Sequence, residues 1–335
     1  MPDSTGTFTN LNADIQRYLG LSIAASTNQT YRSGEKQFLD FCQLCRPTNL
    51  PMFPANEELL MKFVAYLAQS IKHSSIKCYL AAVRHLHIRM GYKLDLTKFV
   101  RLQLVCRGVK RSQGDHPRVR LPITIHHLHL FYALLAVPYT QHFDSLMVWA
   151  AMTLAFFGFL RLGELTCNSK FSPEIHLAPR DVRFFPHQGN PDFMTLGIKA
   201  SKTDPFRSGH TITIGKTGLP LCPISAMQKY LQARDTSSGP LFIYSSGTPL
   251  TKTALVSETR ALLSRSGFNA SHYAGHSYRI GAATTAASAG LPTWLIKTMG
   301  RWSSDCYERY VRVPHSVLSD VSKTLAKKKK KKTHL

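Results

Sequence analysis

The chain has 335 residues and 44% apolar content, enough for two domains with their own cores and too apolar for a disordered protein. Forty-two Lys and Arg oppose nineteen Asp and Glu, and the net charge of +23 is still +17 without the six lysines Lys327 to Lys332. The basicity is therefore spread through the folded part and predicts a polyanionic partner, nucleic acid first, with an acidic membrane surface as the competitor.

Residues 1–13 are polar, rich in Thr and Asn and without the basic, apolar and small-residue order of a secretory leader, so they are expected to form a disordered arm. Seven cysteines, odd in number and without framework spacing, fit a reducing compartment. From 14 to 112 the pattern is helical. Ser26 and Thr27 offer N-caps to a helix that turns Tyr31, Phe38 and Phe41 inward, and Asn56 opens another with Leu60, Phe63, Val64 and Leu67 on one face. Cys42 and Cys45 form a lone CxxC on an apolar stripe, which reads as core packing because no second pair or flanking His cluster completes a zinc site. After Ser74 and Ser75 a third helix carries Ile76, Leu80 and Val83 inward. Its other side offers Lys77, Arg84, His85 and Arg89, with Lys72 just upstream. No Asp or Glu lies between Gln69 and Lys93, so this face lacks the counter-charges of an ordinary salt-bridged exterior and is a candidate for DNA contact.

A hydrophilic joint follows from Arg107 to Arg120 (RGVKRSQGDHPRVR), and the domain boundary is placed within it, at 113–120. Its Lys110 and Arg111 are candidates to lie along a phosphate backbone, although a linker also tolerates unselected charge. The second region, 121–325, opens with predicted helices at His126–Ala136 and Phe143–Cys167. His126, His127 and His129 cluster without any carboxylate or cysteine, so no metal site is read there. The uncharged run Ser145–Leu160 falls short of the ~18 residues of a membrane span and reads as a buried helix. It delivers Arg161, whose guanidinium needs an anionic partner, either Glu164 or a phosphate. Alternation then predicts a β-hairpin of Phe193–Lys199 and His210–Ile214, with Lys202 where the first strand enters the turn. Helices are expected at Ile224–Ala233, Lys252–Ser266, around His276 and at Pro292–Met299. The fold class is mainly α with a small β-sheet, α+β. His276 and Arg279, spaced i, i+3, share one helix face and can converge on one anion; Tyr307 and Tyr310 have the same spacing, and either could be presented as a nucleophile. Each motif alone is weak, since buried Tyr and His are more often core residues.

Taken in order, Arg161 in RLGEL, Lys202 in SKTD, HSYR at His276 to Arg279, GRW, and a tyrosine thirty-four residues after the histidine resemble the tyrosine recombinases of the phage-integrase class. Within that class the sequence is most similar to the eukaryotic mobile-element recombinases of the Crypton and DIRS kind. The resemblance covers nearly the whole chain. It implies a helical, SAM-like core-binding domain, then a tyrosine-recombinase catalytic domain, acting on double-stranded DNA as a homo-oligomer, a tetramer in the synaptic complex, with no cofactor and no metal. It implies that Arg161 and Arg279 grip the scissile phosphate, Tyr310 attacks phosphorus, His276 is the base, and Lys202 protonates the departing 5′-oxygen. Lys72, Lys77, Arg84, Arg89, Lys110 and Arg111 are the candidate DNA contacts. One departure stands out. The family usually has His or Trp directly after the glycine, whereas Gly300 is followed by Arg301 and then Trp302, nine and eight residues before Tyr310. Trp302 is assigned the phosphate-side role, and either frame favours Tyr310 over Tyr307.

A type IB topoisomerase would share the Arg, Lys, Arg and Tyr chemistry, and a non-catalytic DNA-binding protein descended from an element would share the fold. The separate helical first domain and the presence of every position favour a site-specific recombinase or integrase. After a predicted helix at Val317–Leu325, the tail 326–335 (AKKKKKKTHL) is expected to project into solvent. It reads as a nuclear-targeting signal that adds nonspecific DNA affinity, against the plainer reading of a solvated charge run. A nuclear location is therefore expected, without a membrane.

Overall fold

The computed structural model describes residues 11–44, 52–114, 120–136 and 143–312, apart from the single positions 169, 188, 203, 219 and 235, together with residue 319. The chain divides after residue 117 into two compact units.

The first unit holds five helices: α1 (Leu11–Leu21), α2 (Ala25–Leu44), α3 (Glu57–Ala68), α4 (His73–Arg89) and α5 (Val100–Gln113). Several predicted boundaries shift. α1 starts inside the stretch expected to be a disordered arm, whose residues 1–10 lie outside the described ones. Ser26 and Thr27 sit within the first turn of α2 and Ser74 and Ser75 within that of α4, so none of them precedes its helix. α5 continues through Arg107 to Gln113, so the first half of the hydrophilic joint is helical and the chain leaves the helix at Gly114, with a φ of 69°. Asn56 does cap α3, its side chain accepting the Leu59 N–H at 2.8 Å. Phe38, Leu60, Phe63, Val64, Ile76 and Val83 are completely buried between these helices. α2 and α4 cross closely at Gly34, where a Cβ would stand 2.9 Å from that of Ala82. Buried His87 ties the unit together: its Nδ1 donates to the Val83 carbonyl at 2.7 Å and its Nε2 accepts the Ala55 N–H at 2.9 Å. Burial holds its pKa below the ordinary imidazole value.

The second unit contains α6 (Ile125–Leu135), α7 (Phe143–Phe157), a one-turn α8 (Leu162–Leu165), strands β1 (Val182–Phe185), β2 (Phe193–Ile198) and β3 (His210–Gly215), then α9 (Pro223–Ala233), α10 (Lys252–Arg265), α11 (Ser277–Ser288) and α12 (Thr293–Gly300). The sheet is antiparallel in the order β1-β2-β3, with Val182 opposite Leu196 and Met194 opposite Ile214. The β2–β3 hairpin was predicted; β1, only four residues long, shows no alternation that would announce it. The uncharged run becomes α7, buried from Met147 to Phe156 at the centre of the core. Among the described residues no helix is long and apolar enough to cross a membrane. His127 is turned inward, pairing with Thr124 and with the Tyr273 hydroxyl at 3.1 Å, and burial pushes its pKa down to about 4.

The helix expected to continue to Cys167 breaks at Phe157. The Leu160 N–H bonds back to the Ala155 carbonyl and the Phe159 N–H to that of Phe156, with Phe159 at a φ of 50°. This is a left-handed helix end of the kind glycine usually supplies. It turns the chain so that Arg161 stands as N-cap of α8. α11 is fixed against the segment before α6, where the Ile123 N–H donates to the Ser277 carbonyl at 2.9 Å. A Cβ on Gly281 would fall 1.7 Å from the Ile123 carbonyl oxygen. Gly281→Ala should therefore cost about 1–3 kcal/mol or more by overpacking, read as a lowered melting temperature of the second unit by calorimetry. Gly108→Ala, in α5 with nothing within 4 Å of the new methyl, should instead be neutral or gain up to about 1 kcal/mol.

Candidate active site

α11 carries the centre of the site. His276 is its N-cap and Arg279 lies in its first turn, completely buried. The Arg279 Nη1 donates to the Phe159 carbonyl at 2.5 Å and Nη2 donates to the Gly300 carbonyl. Those two carbonyls belong to helix ends built alike. α12 also closes left-handed, with Arg301 at a φ of 55°, its N–H on the Thr298 carbonyl and the Trp302 N–H on that of Lys297. Two helix C-termini, each the negative end of a dipole, thus converge on one cation. The Trp302 ring lies 4.2 Å from the guanidinium carbon and the Tyr310 ring 5.6 Å. Trp302 can close in because residue 300 is glycine; a Cβ there would stand 1.8 Å from the indole ring. The Arg279 Nε is buried without a partner. Desolvation, then the charges of Arg161 and Arg301, hold the Arg279 pKa below its ordinary value.

A second knot forms around Glu164. Its Oε1 accepts from Arg161 Nη1 at 2.9 Å, and its Oε2 accepts the Arg161 backbone N–H at 3.0 Å and Arg301 Nη2 at 2.6 Å. The partner of Arg161 in the protein is thus Glu164. A single nearly buried carboxylate serves two guanidinium groups. Arg301 is committed to this knot and to the Gly158 carbonyl, whereas Trp302 packs on Tyr310 with ring centroids 5.1 Å apart.

Tyr310 follows the 3-10 turn Asp305–Arg309. Its ring is 6.2 Å from that of His276. Tyr307 faces α12 instead, its hydroxyl 3.4 Å from Thr293 Oγ1 and its ring under the Lys297 ammonium. The two tyrosines, equivalent by spacing, are therefore separated by packing. His276 keeps much of its surface open, yet the protein around it withdraws enough water to lower its pKa; next in weight come the charges of Lys252, Arg279, Arg161 and Lys202. Lys202 is exposed in the turn beyond β2, where Asp204 orders the chain by accepting the Ser208 and Gly209 N–H groups at 3.0 and 2.8 Å. Lys199, three residues earlier, is engaged at 2.5 Å by Asp181. Lys252 had no motif to mark it.

The expected DNA contacts of the first unit divide. Lys77, Arg84 and Lys110 line one groove of about 530 Å3 between α4 and α5, joined by Arg107 and His73. Lys72 and Arg111 are exposed, at the start of α4 and near the end of α5. Arg89 is turned elsewhere: it and His85 face Glu35 of α2, at 3.5 and 3.7 Å. The missing counter-charge is thus supplied by a residue 54 positions away, and the basic face is narrower than its sequence suggests.

No protein-family model matches the chain. It is 26% identical over 316 residues to an integrase/recombinase xerD homolog of Selenomonas ruminantium, covering 90% of this chain and 85% of that protein. Its fold is shared with the XerH site-specific recombinase bound to palindromic difH substrate in a post-cleavage complex, at a TM-score of 0.61 and 12% identity over 90% of this chain and 80% of that one. It is shared also with the Tn1549 transposon integrase in complex with circular intermediate DNA (TM-score 0.53, 14% identity, 93% and 98%) and with a lambda integrase dimer bound to a COC′ core site (0.53, 13%, 90% and 95%).

Glu164→Gln removes the carboxylate charge shared by Arg161 and Arg301. Because it leaves two largely desolvated cations without their counter-ion, it should cost about 3 kcal/mol or more, measured as a lower urea midpoint at unchanged m-value.

Proposed function

We propose, from the premise that a chain with this fold and this relative belongs to the tyrosine recombinase/integrase family, that the protein is a site-specific DNA recombinase which cleaves and rejoins strands through a 3′-phosphotyrosyl intermediate. The observation that carries the reading is the convergence of Tyr310, Trp302 and His276 on Arg279, a buried cation held by carbonyls alone. Beside it two further guanidinium groups, those of Arg161 and Arg301, share one carboxylate, so the site has positive charge to spare for a phosphate.

The chemistry follows from these positions. Arg161 and Arg279 hold the non-bridging oxygens of the scissile phosphate and offset the charge that grows in the transition state. The Tyr310 oxygen attacks phosphorus, and its proton passes to His276; free phenol has a pKa of about 10, so a base is needed. His276 is suited to that task because its depressed pKa keeps the imidazole neutral. Lys202 gives a proton to the departing 5′-oxygen. The energy of the broken bond is kept in the phosphotyrosine, and a 5′-hydroxyl from another strand reverses the step, which is exchange rather than hydrolysis. Since Arg279 is buried beneath Trp302 and Tyr310, those rings must part from it for the phosphate to enter.

On the order and spacing of its motifs, the protein is placed among the Crypton- or DIRS-like mobile-element recombinases. Its partner is double-stranded DNA, approached through Lys77, Arg84 and Lys110, and the working form is a homo-oligomer, a tetramer at synapsis. The lysine run 327–332, outside the described residues like the predicted helix before it, supports a nuclear location.

Tyr310→Phe should abolish the denaturation-resistant protein–DNA adduct formed on the element's terminal DNA and leave duplex affinity unchanged, while Tyr307→Phe keeps the adduct; the reverse pattern sinks the nucleophile assignment. Arg161→Ala and Arg279→Ala, checked for folding by circular dichroism, should each lose roughly 10²-fold or more in cleavage and far less in binding, which many other cations support. Equal losses would make them ordinary DNA contacts. Deleting 327–335 should reduce nuclear accumulation of a fused reporter and flatten the salt dependence of DNA binding; an unchanged distribution and salt slope denies the tail both roles.

A further inference from the structure

We propose that Lys252 is a further cation of this site, its ammonium placed beside His276 to take the phosphate group on which His276 and Tyr310 act. The proposal deepens the recombinase reading and rests on it. Lys252 is the first residue of α10, after the N-cap Thr251, whose hydroxyl accepts the Ala254 N–H at 3.1 Å. The positive end of a helix dipole is an unfavourable place for a cation, so local helix preference does not account for a lysine there. Its backbone is pinned nonetheless, the Lys252 N–H donating to Asn168 Oδ1 at 2.7 Å.

Room for the side chain is left by Gly275, the residue before His276. A Cβ on Gly275 would lie 2.9 Å from the Lys252 Cε and 3.6 Å from a methyl of Leu162, the residue after Arg161. The lysine stem thus passes through the space that a side chain on Gly275, the neighbour of His276, would fill. Lys252 itself is exposed, and none of the ion pairs among the described residues includes it. The charged and titratable groups facing His276 are Lys252 from α10, Arg279 from its own helix, Arg161 from the turn before α8, Lys202 from the turn beyond β2, and Tyr310. Lys252 acts on the imidazole more strongly than the other three cations. A phosphate close enough to receive the oxygen of Tyr310 beside His276 lies within the field of this ammonium. A flexible point charge there complements the two rigid guanidinium forks.

The test uses the full chain without DNA, so that it is read independently of cleavage. His276 is titrated by NMR, and inorganic phosphate is the probe ligand. In the wild type the imidazole should titrate below the ordinary histidine range. In Lys252→Met the loss of a positive charge favours the protonated ring, so the pKa should rise, and phosphate affinity should fall about tenfold, the scale of one charge-assisted hydrogen bond. Lys252→Arg should restore both. Gly275→Ala, which displaces the stem but keeps the charge, should move both readouts in the same direction by less, and it serves if the first variant folds poorly. An imidazole titration and a phosphate affinity unmoved in Lys252→Met overturn the proposal. With both shifts present, failure of the wild type to form a Tyr310-dependent DNA adduct would instead remove the recombinase reading and leave an anion site that includes Lys252.

Discussion

The second unit is organised around the contact of one guanidinium with the ends of two helices. Arg279 is buried completely, and what compensates its charge is the carbonyl of Phe159 beyond α7 and that of Gly300 closing α12. A buried cation held by neutral acceptors needs those acceptors aimed at it. The aiming requires both helices to end left-handed, at Phe159 and Arg301, where neither residue is glycine. Such backbone is costly for bulky side chains and persists where the surroundings over-determine it. The same turns set the remaining positions. The first releases Arg161 to cap α8; the second lets Trp302 fold back over Gly300 onto Arg279 and Tyr310.

Charge balance explains why so many cations can crowd together. Glu164 neutralises part of the repulsion between Arg161 and Arg301, and the helix ends neutralise part of Arg279. Lys202 and Lys252 remain exposed to water, where a charge costs little. The array is held by devices that each fall short of full compensation, which is the condition for a strong anion site: full neutralisation would leave nothing to bind with, and none would unfold the protein.

The order of the motifs was legible in the sequence because each is a short run of fixed residue types, and the hairpin, α7 and the helix at His276 follow from period and apolar content. The break after Phe157 was not. Ser145 to Leu160 is uncharged without interruption, and a left-handed turn taken by phenylalanine leaves no compositional trace. β1 is too short to alternate. The pairing of Arg89 with Glu35 spans 54 positions, so a local count of charges between Gln69 and Lys93 overstated the basic face. Spacing left Arg301 and Trp302 alike; in space the Arg301 side chain turns toward Glu164 while that of Trp302 covers Arg279. Lys252 belongs to no motif, and the glycine that admits its stem is 23 positions away.

If His276 is the base, as proposed, the cations crowded around it have a consequence for when it becomes effective. In the free protein, desolvation and four positive charges keep the imidazole neutral, ready to accept a proton but weakly basic. A phosphate that binds among Lys252, Arg279, Arg161 and Lys202 brings negative charge to the point from which the depression arises, and so raises the proton affinity of the ring. On the proposed mechanism the base strengthens only when the scissile group is in place, and the proton it then takes from Tyr310 is held by the added negative charge. On that mechanism the same cations serve both to bind the phosphate and to make its arrival the event that prepares the nucleophile.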